Sequence, residues 1–179
     1  MIYITSDFHF CHQREFLYGP RGFSSVEEMN IALVENYNNI ITPEDTVYIL
    51  GDCMLNDDKT GIALLSQLKG HKYLAIGNHD SDARIEKYRA ANLFEDIQFA
   101  YRFNYHKWYF YATHYPTITY NPNDKRRFCL CGHSHTKDKF SQWDVGCYHC
   151  DLDAHENAPV SIEQIIEDIK HQKEITNNG

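Results

Sequence analysis

No stretch of this chain stays apolar long enough to form a membrane-spanning helix. Its first residues, MIYITSDFHF, lack a basic segment followed by an apolar one, so no secretory signal is read there. Basic residues are in short supply: 17 Lys and Arg stand against 25 Asp and Glu, a net charge of −8. That sign argues against tight, sequence-blind binding of long nucleic acid, which needs a broad basic surface. Bound divalent cations would offset part of the charge locally, which keeps short phosphorylated ligands within reach. Internal repeats, low-complexity tracts and linkers are missing as well. One domain over residues 1–179 is expected, large enough to bury a core without disulfide or metal staples. The expected compartment is the cytoplasm. There Cys11, Cys53, Cys129, Cys131, Cys147 and Cys150 would stay mostly reduced.

What is abundant is aromatic and imidazole side chains: 13 Tyr, 10 Phe and 11 His. Along the first half, buried strands alternate with amphipathic helices. IYIT runs into SDFHF, and SSVEEMNIALVENYNNII reads as a helix capped by Ser24 or Ser25 with Glu27 or Glu28 closing a capping box. TVYIL leads to Gly51-Asp52, and KTGIALLSQLKG is a second helix. KYLAI leads to Gly77-Asn78-His79-Asp80, followed by the helix SDARIEKYRAAN. The second half is richer in strand. DIQFAYRFNY and KWYFYAT read as an antiparallel pair, RFCLC and WDVGC as later strands, and SIEQIIEDIKHQKE as a closing helix capped by Ser161. The pattern is that of an α/β chain.

Each strand-like segment ends in residues able to hold a metal. They are Asp7 and His9, then Asp52, then Asn78 and His79, then His114, and last His133 and His135 in CGHSH. Residues i and i+2 of a strand share a face, so each closely spaced pair can converge. In open α/β sheets, ligands gather beyond the carboxyl ends of the strands. Asp7, Asp52 and Asn78 with the four imidazoles of His9, His114, His133 and His135 exceed what one ion needs, and suit two if Asp52 bridges. Such mixed sets favour Mn²⁺, Fe²⁺/Fe³⁺, Zn²⁺, Ni²⁺ or Co²⁺ over Ca²⁺. Two ions about 3.5–4 Å apart can share a hydroxide as nucleophile and stabilise the entering and leaving oxygens of a phosphoryl group. Hydrolysis of phosphate esters is the chemistry this inventory fits.

DFH, GD, GNHD, THYP and GHSH, in that order, resemble the calcineurin-like metallophosphoesterase superfamily, within it a small bacterial and phage-type branch. The resemblance runs from Ile2 to His135. It implies a β-sandwich of two mixed sheets flanked by helices, in four αββα layers. It implies that Asp7, His9 and His135 hold one metal, that Asp52 bridges, and that Asn78, His114 and His133 hold the other. Mn²⁺ is the favoured occupant. By the same resemblance His79 faces the substrate as a proton donor or charge stabiliser, and Asp80 orients its ring.

His12 and Arg14 are the candidates for touching substrate phosphate. Arg21 is a further possible clamp, although surface arginines are the commoner case. Cys11 stands where relatives of the branch often have Gly. Cys129-x-Cys131 and Cys147-x-x-Cys150 form two close pairs that can make a zinc site. The expected reading is instead small apolar side chains in a buried strand. The substrate expected is a small phosphorylated molecule, a nucleotide or cyclic nucleotide included, with a diester preferred to a monoester. The alternatives are a phosphomonoesterase and a non-enzymatic scaffold of the same fold. No protein partner is indicated.

Overall fold

In the computed structural model, residues 1–118, 125–144 and 146–178 are described. The order is β1 (Ile2–Thr5), α1 (Glu15–Tyr18), α2 (Val26–Ile40), β2 (Thr46–Ile49), α3 (Asp58–Leu65), β3 (His71–Ala75) and α4 (Asp82–Ala90). Then come β4 (Asp96–Gln98), β5 (Ala100–Tyr105), β6 (Trp108–Thr113), β7 (Arg127–Cys131), β8 (Cys147–His149), β9 (Val160–Ser161) and α5 (Ile162–Asn178). One sheet runs β4-β3-β2-β1-β9 and the other β5-β6-β7-β8. Both are mixed: β9 lies antiparallel to β1, and β5 lies antiparallel to β6. Two mixed sheets with flanking helices are the architecture expected from the resemblance.

Alternation along each strand divides the core. Val47 and Ile49 of β2 and Leu74 of β3 pack with Met29, Leu33 and Tyr37 of α2 and Tyr88 of α4. Their neighbours Ile4, Leu50 and Ala75 face Phe110, Ala112, Leu130 and Tyr148 of the second sheet. The closing helix adds Ile162, Ile165, Ile166 and Ile169 to that inter-sheet cluster. Its start is capped as the sequence suggests, the Gln164 N–H donating to Ser161 Oγ at 3.1 Å. At α2, Ser25 Oγ accepts from the Glu28 N–H at 3.1 Å while the Glu28 carboxylate takes the Ser24 N–H at 2.8 Å. The reciprocal cap thus draws on both serines.

Two strand expectations change. DIQFAYRFNY is two strands in different sheets: β4 extends the first sheet in parallel beside β3, and β5 opens the second. The crossing falls at Phe99, which is 79% exposed and breaks the alternation. The WDVGC strand begins later, at Cys147, and Val145 of that segment lies outside the described residues. Among the described residues no helix is long and apolar enough to cross a membrane.

Candidate metal centre

Parallel pairing of β1 with β2 and β2 with β3 brings the carboxyl ends of three strands to one rim. The chain bends sharply there. Gly51, at φ 87°, lies so close to its neighbours that an added Cβ would sit 2.6 Å from His114 Nδ1 and 2.7 Å from Gly77 Cα. Gly132 is equally confined, since a Cβ would fall 2.3 Å from Asp7 Oδ2. Only glycine lets the loops after β2 and β7 approach the buried donors this closely.

The rim gathers Asp7, His9, Asp52, Asn78, His114, His133 and His135. His9 Nε2 lies 3.1 Å from His135 Nε2, 3.6 Å from Asp7 Oδ1 and 3.5 Å from Asp52 Oδ2. On the other side of Asp52, the same Oδ2 lies 3.6 Å from His114 Nε2. That nitrogen is 2.9 Å from Asn78 Oδ1 and 3.2 Å from His133 Nδ1. Asp52 therefore sits between two groups of donors, Asp7–His9–His135 and Asn78–His114–His133.

The partners of the rings fix which nitrogen is protonated. His114 Nδ1 donates to the Leu50 carbonyl at 2.8 Å, and His135 Nδ1 donates to Asp153 Oδ2 at 3.1 Å. Both rings then present a bare Nε2 to the rim. Lone pairs consequently face lone pairs: His114 Nε2 against Asn78 Oδ1, and His135 Nε2 against Asp7 Oδ1 at 3.7 Å. Asp7 Oδ1 is buried without a hydrogen-bond partner. Such contacts are unfavourable unless a cation lies among them. Ligand atoms bound to one ion at about 2.1 Å stand roughly 3.0–3.5 Å apart, close to the separations here. The donor set fits divalent metal.

Electrostatics agree at Asp7 and His9, whereas at His135 burial lowers the imidazole but Asp153 and Asp7 raise it overall. Burial pushes the Asp7 carboxyl up, but the adjoining His9 and the nearby His135 and His114 more than reverse this, leaving it at about 2. Burial holds the His9 imidazole below its ordinary value, against the pull of Asp7 and Asp52. Ionised oxygens and neutral rings are the forms that bind metal.

His79 lies at the mouth, its side chain 40% exposed and its Nε2 3.9 Å from Asp52 Oδ2. Its backbone N–H donates to Asp52 Oδ1 at 2.8 Å, while Arg84 Nη1 donates to its carbonyl at 2.7 Å. Asp80 does not orient the His79 ring. Its oxygens accept from the N–H groups of Asp52 (2.8 Å), Gly77 (3.0 Å) and Cys53 (3.2 Å) and from the Tyr88 hydroxyl (3.0 Å). Four donors fill the carboxylate, so Asp80 locks the loop after β2 to the loop after β3. His12 is half-buried, with its ring 5.6 Å from that of His9. Arg14 is exposed and reaches His12 through its backbone N–H, which donates to His12 Nδ1 at 3.3 Å. Arg21 is buried rather than offered to substrate. It donates to the carbonyls of Asp7 (2.8 Å) and Phe8 (3.2 Å) and pairs with Asp153 at 2.7 Å. Cys11 adopts φ 66°, the conformation glycine favours.

Asp151 and Asp153 are the functional neighbours that the strand-end reading did not single out. Asp151 Oδ1 accepts the His135 N–H at 2.8 Å, and Asp153 clamps both His135 and Arg21. The signal was available, since DLD follows CYHC with the same i, i+2 spacing as DFH and HSH.

A carboxylate–imidazole cluster on the rim of a two-sheet α/β sandwich defines a metallophosphoesterase. Residues 1–176 match the model of the calcineurin-like phosphoesterase family, and the chain belongs to that family. It is 37% identical over 123 residues to the uncharacterized protein MJ1445 of Methanocaldococcus jannaschii, covering 64% of this chain and 69% of that protein. The gene 66 protein of Mycobacterium phage L5 is 37% identical over 82 residues, 44% of this chain and 39% of that one. Among solved structures, a protein of unknown function from Aquifex aeolicus shares the fold with a TM-score of 0.71 at 22% identity, over 93% of this chain and 98% of that one. Yfce, a phosphoesterase from E. coli, aligns with a TM-score of 0.50 at 14% identity, over 90% and 81%.

Proposed function

We propose that this phosphoesterase uses two divalent metal ions, Mn²⁺ favoured, and hydrolyses small phosphodiesters, nucleotides and cyclic nucleotides among them. One observation carries the reading: a single oxygen, Asp52 Oδ2, stands 3.5 Å from His9 Nε2 and 3.6 Å from His114 Nε2, within reach of both donor groups. Asp7, His9, His135 and Asp52 would hold one ion, and Asp52, Asn78, His114 and His133 the other. Bound there, the pair would supply Lewis-acid polarisation of the phosphoryl oxygens and a water acidified to near neutrality.

The chain's own side chains do the rest. His79, held by its backbone to Asp52 and half open to solvent, is placed to give a proton to the departing oxygen. His12, beside His9, borders the same opening and would contact the phosphate. The diester preference follows from charge. A monoester dianion calls for a further cationic clamp, and Arg21 is already paired with Asp153 while Arg84 pairs with Asp58 at 2.9 Å, which leaves Arg14, exposed beside His12, to meet the single charge of a diester.

The test is turnover of bis(4-nitrophenyl) phosphate against 4-nitrophenyl phosphate, with Mn²⁺ and with other divalent ions. Mn²⁺-dependent cleavage, faster for the diester, is expected. Asp52→Asn should lower kcat/KM by on the order of 100-fold or more, as loss of one preorganised charge does. Full activity of that variant, or faster turnover of the monoester, would refute the reading.

A further inference from the structure

Strands β7 and β8 are paired in parallel with Cys129 opposite Cys147 and Cys131 opposite His149. Residues two apart on a strand share a face, so these four side chains form a square on one side of the sheet. Leu130 and Tyr148, between them, point into the inter-sheet core. The square therefore lies on the opposite face. All four residues are buried, with exposures of 0% at Cys129, Cys131 and His149 and 4% at Cys147. The three Sγ atoms lie within 4.8 Å of one another, and Cys131 Sγ is 3.8 Å from His149 Nδ1. The thiols are free.

We propose that Cys129, Cys131, Cys147 and His149 form a second metal site, distinct from the rim in its donors, that takes a thiophilic cation of the Zn²⁺ type. Three sulfurs and one nitrogen are a standard tetrahedral zinc set. With bonds of about 2.3 Å to sulfur and 2.0–2.1 Å to nitrogen, its ligand atoms stand roughly 3.6–3.8 Å apart. The three sulfurs need to contract only slightly to reach that geometry, and the His149 ring, which now meets Cys131 alone, must turn toward the other two. Binding releases three thiol protons to solvent as three Zn–S bonds and one Zn–N bond form.

A second observation, on His149 itself, points to the same ligand. Its ring is fully buried, and Nε2 has no hydrogen-bond partner although Asp144 Oδ2 lies 3.3 Å away. A histidine bound to metal through one nitrogen commonly donates its other N–H to a carboxylate, and Asp144 stands ready for that. Asp151 Oδ2, also buried and unpartnered, lies 3.5 Å from Nδ1, the nitrogen that would turn from it to the sulfurs.

Cys150, the fourth cysteine of the two sequence pairs, is not part of the square; it packs into the inter-sheet core. Histidine takes its place because Cys147 and His149 are two apart and share a face, whereas Cys150 points the other way. The site would staple β7 to β8 just below the rim. Beyond β7 the chain delivers His133 and His135, and beyond β8 it delivers Asp151 and Asp153. The proposal stands apart from the diesterase reading, because its donors and its cation are different.

Zinc K-edge absorption of wild-type protein, loaded with Zn²⁺ and dialysed against zinc-free buffer, tests it. A sulfur shell near about 2.3 Å is expected, and it should persist in Asp52→Asn, which damages the rim alone. After denaturation in EDTA under non-reducing conditions, all the cysteines should titrate as free thiols. Cys147→Ser should lose the sulfur-bound zinc while keeping metal at the rim. Nitrogen and oxygen scatterers only, or two thiols lost to a disulfide, would overturn the proposal whether or not the variant folds.

Discussion

Asp7, His9, Asp52, His133 and His135 all hang from left-handed backbone, with φ of 60°, 50°, 53°, 71° and 47°. Each such non-glycine residue costs about 1–2 kcal/mol, and the metal-free rim adds repulsion between facing lone pairs. A bound cation relieves that repulsion, so strain and donor geometry belong to one design. Within it, His79 and Asp153 have separable roles. His79→Ala should lower kcat by roughly 10²–10⁴-fold, the range for a lost general acid, with metal content by elemental analysis unchanged. Asp153→Asn removes the charge behind the His135 ring and should weaken metal binding by about 10–100-fold, with kcat largely recovered at saturating Mn²⁺. Burial pushes the Asp153 carboxyl up, yet the hydrogen bonds from His135 and Arg21 hold it well below the ordinary range. Its folded pKa is thus below its unfolded value of about 3.9. The stabilisation is complete above that value and disappears as pH falls through the folded one. Acid titration of metal-free stability should accordingly be shallower in Asp153→Asn than in wild type.

At the scale of elements, strand ends place the donors and loop glycines let them meet. Gly132→Ala would set a Cβ 2.3 Å from Asp7 Oδ2 and 2.4 Å from Ser6 Oγ. The loop after β7 must then withdraw, carrying His133 and His135 away from the rim. Overpacking of this kind costs about 1–3 kcal/mol, measurable by denaturant unfolding, and Mn²⁺ affinity should fall with it. Strands, helices and caps were largely legible because periodicity and Ser/Glu spacing are local properties. The switch between sheets at Phe99 was not legible, because β4 and β5 share an alternating pattern and only their pairing partners separate them. The two-residue β9 escaped notice for a similar reason, being defined by its bond to β1.

For the whole molecule, the rim joins elements from nearly the full length of the chain, from Asp7 after β1 to Asp153 after β8. A cation that binds only the assembled rim must therefore stabilise the entire fold. At a free Mn²⁺ concentration 100 times its dissociation constant, the gain is about 2.7 kcal/mol, or roughly 5–10 °C in Tm for a chain of this size. Calorimetry with and without Mn²⁺ should show that rise, and Asp52→Asn should show much less of it. Sequence alone determined the alternation of strands and helices, the strand-end positions of Asp7, His9, Asp52, Asn78, His114, His133 and His135, and the family likeness. These depend on short-range order along the chain. Tertiary structure decided that Asp80 serves the backbone of two loops, that Arg21 is buried against Asp153, and that His149 rather than Cys150 shares a sheet face with the three cysteines. Each of those outcomes turns on which face a side chain takes and which distant group meets it there, and both are set by packing between strands far apart in the chain.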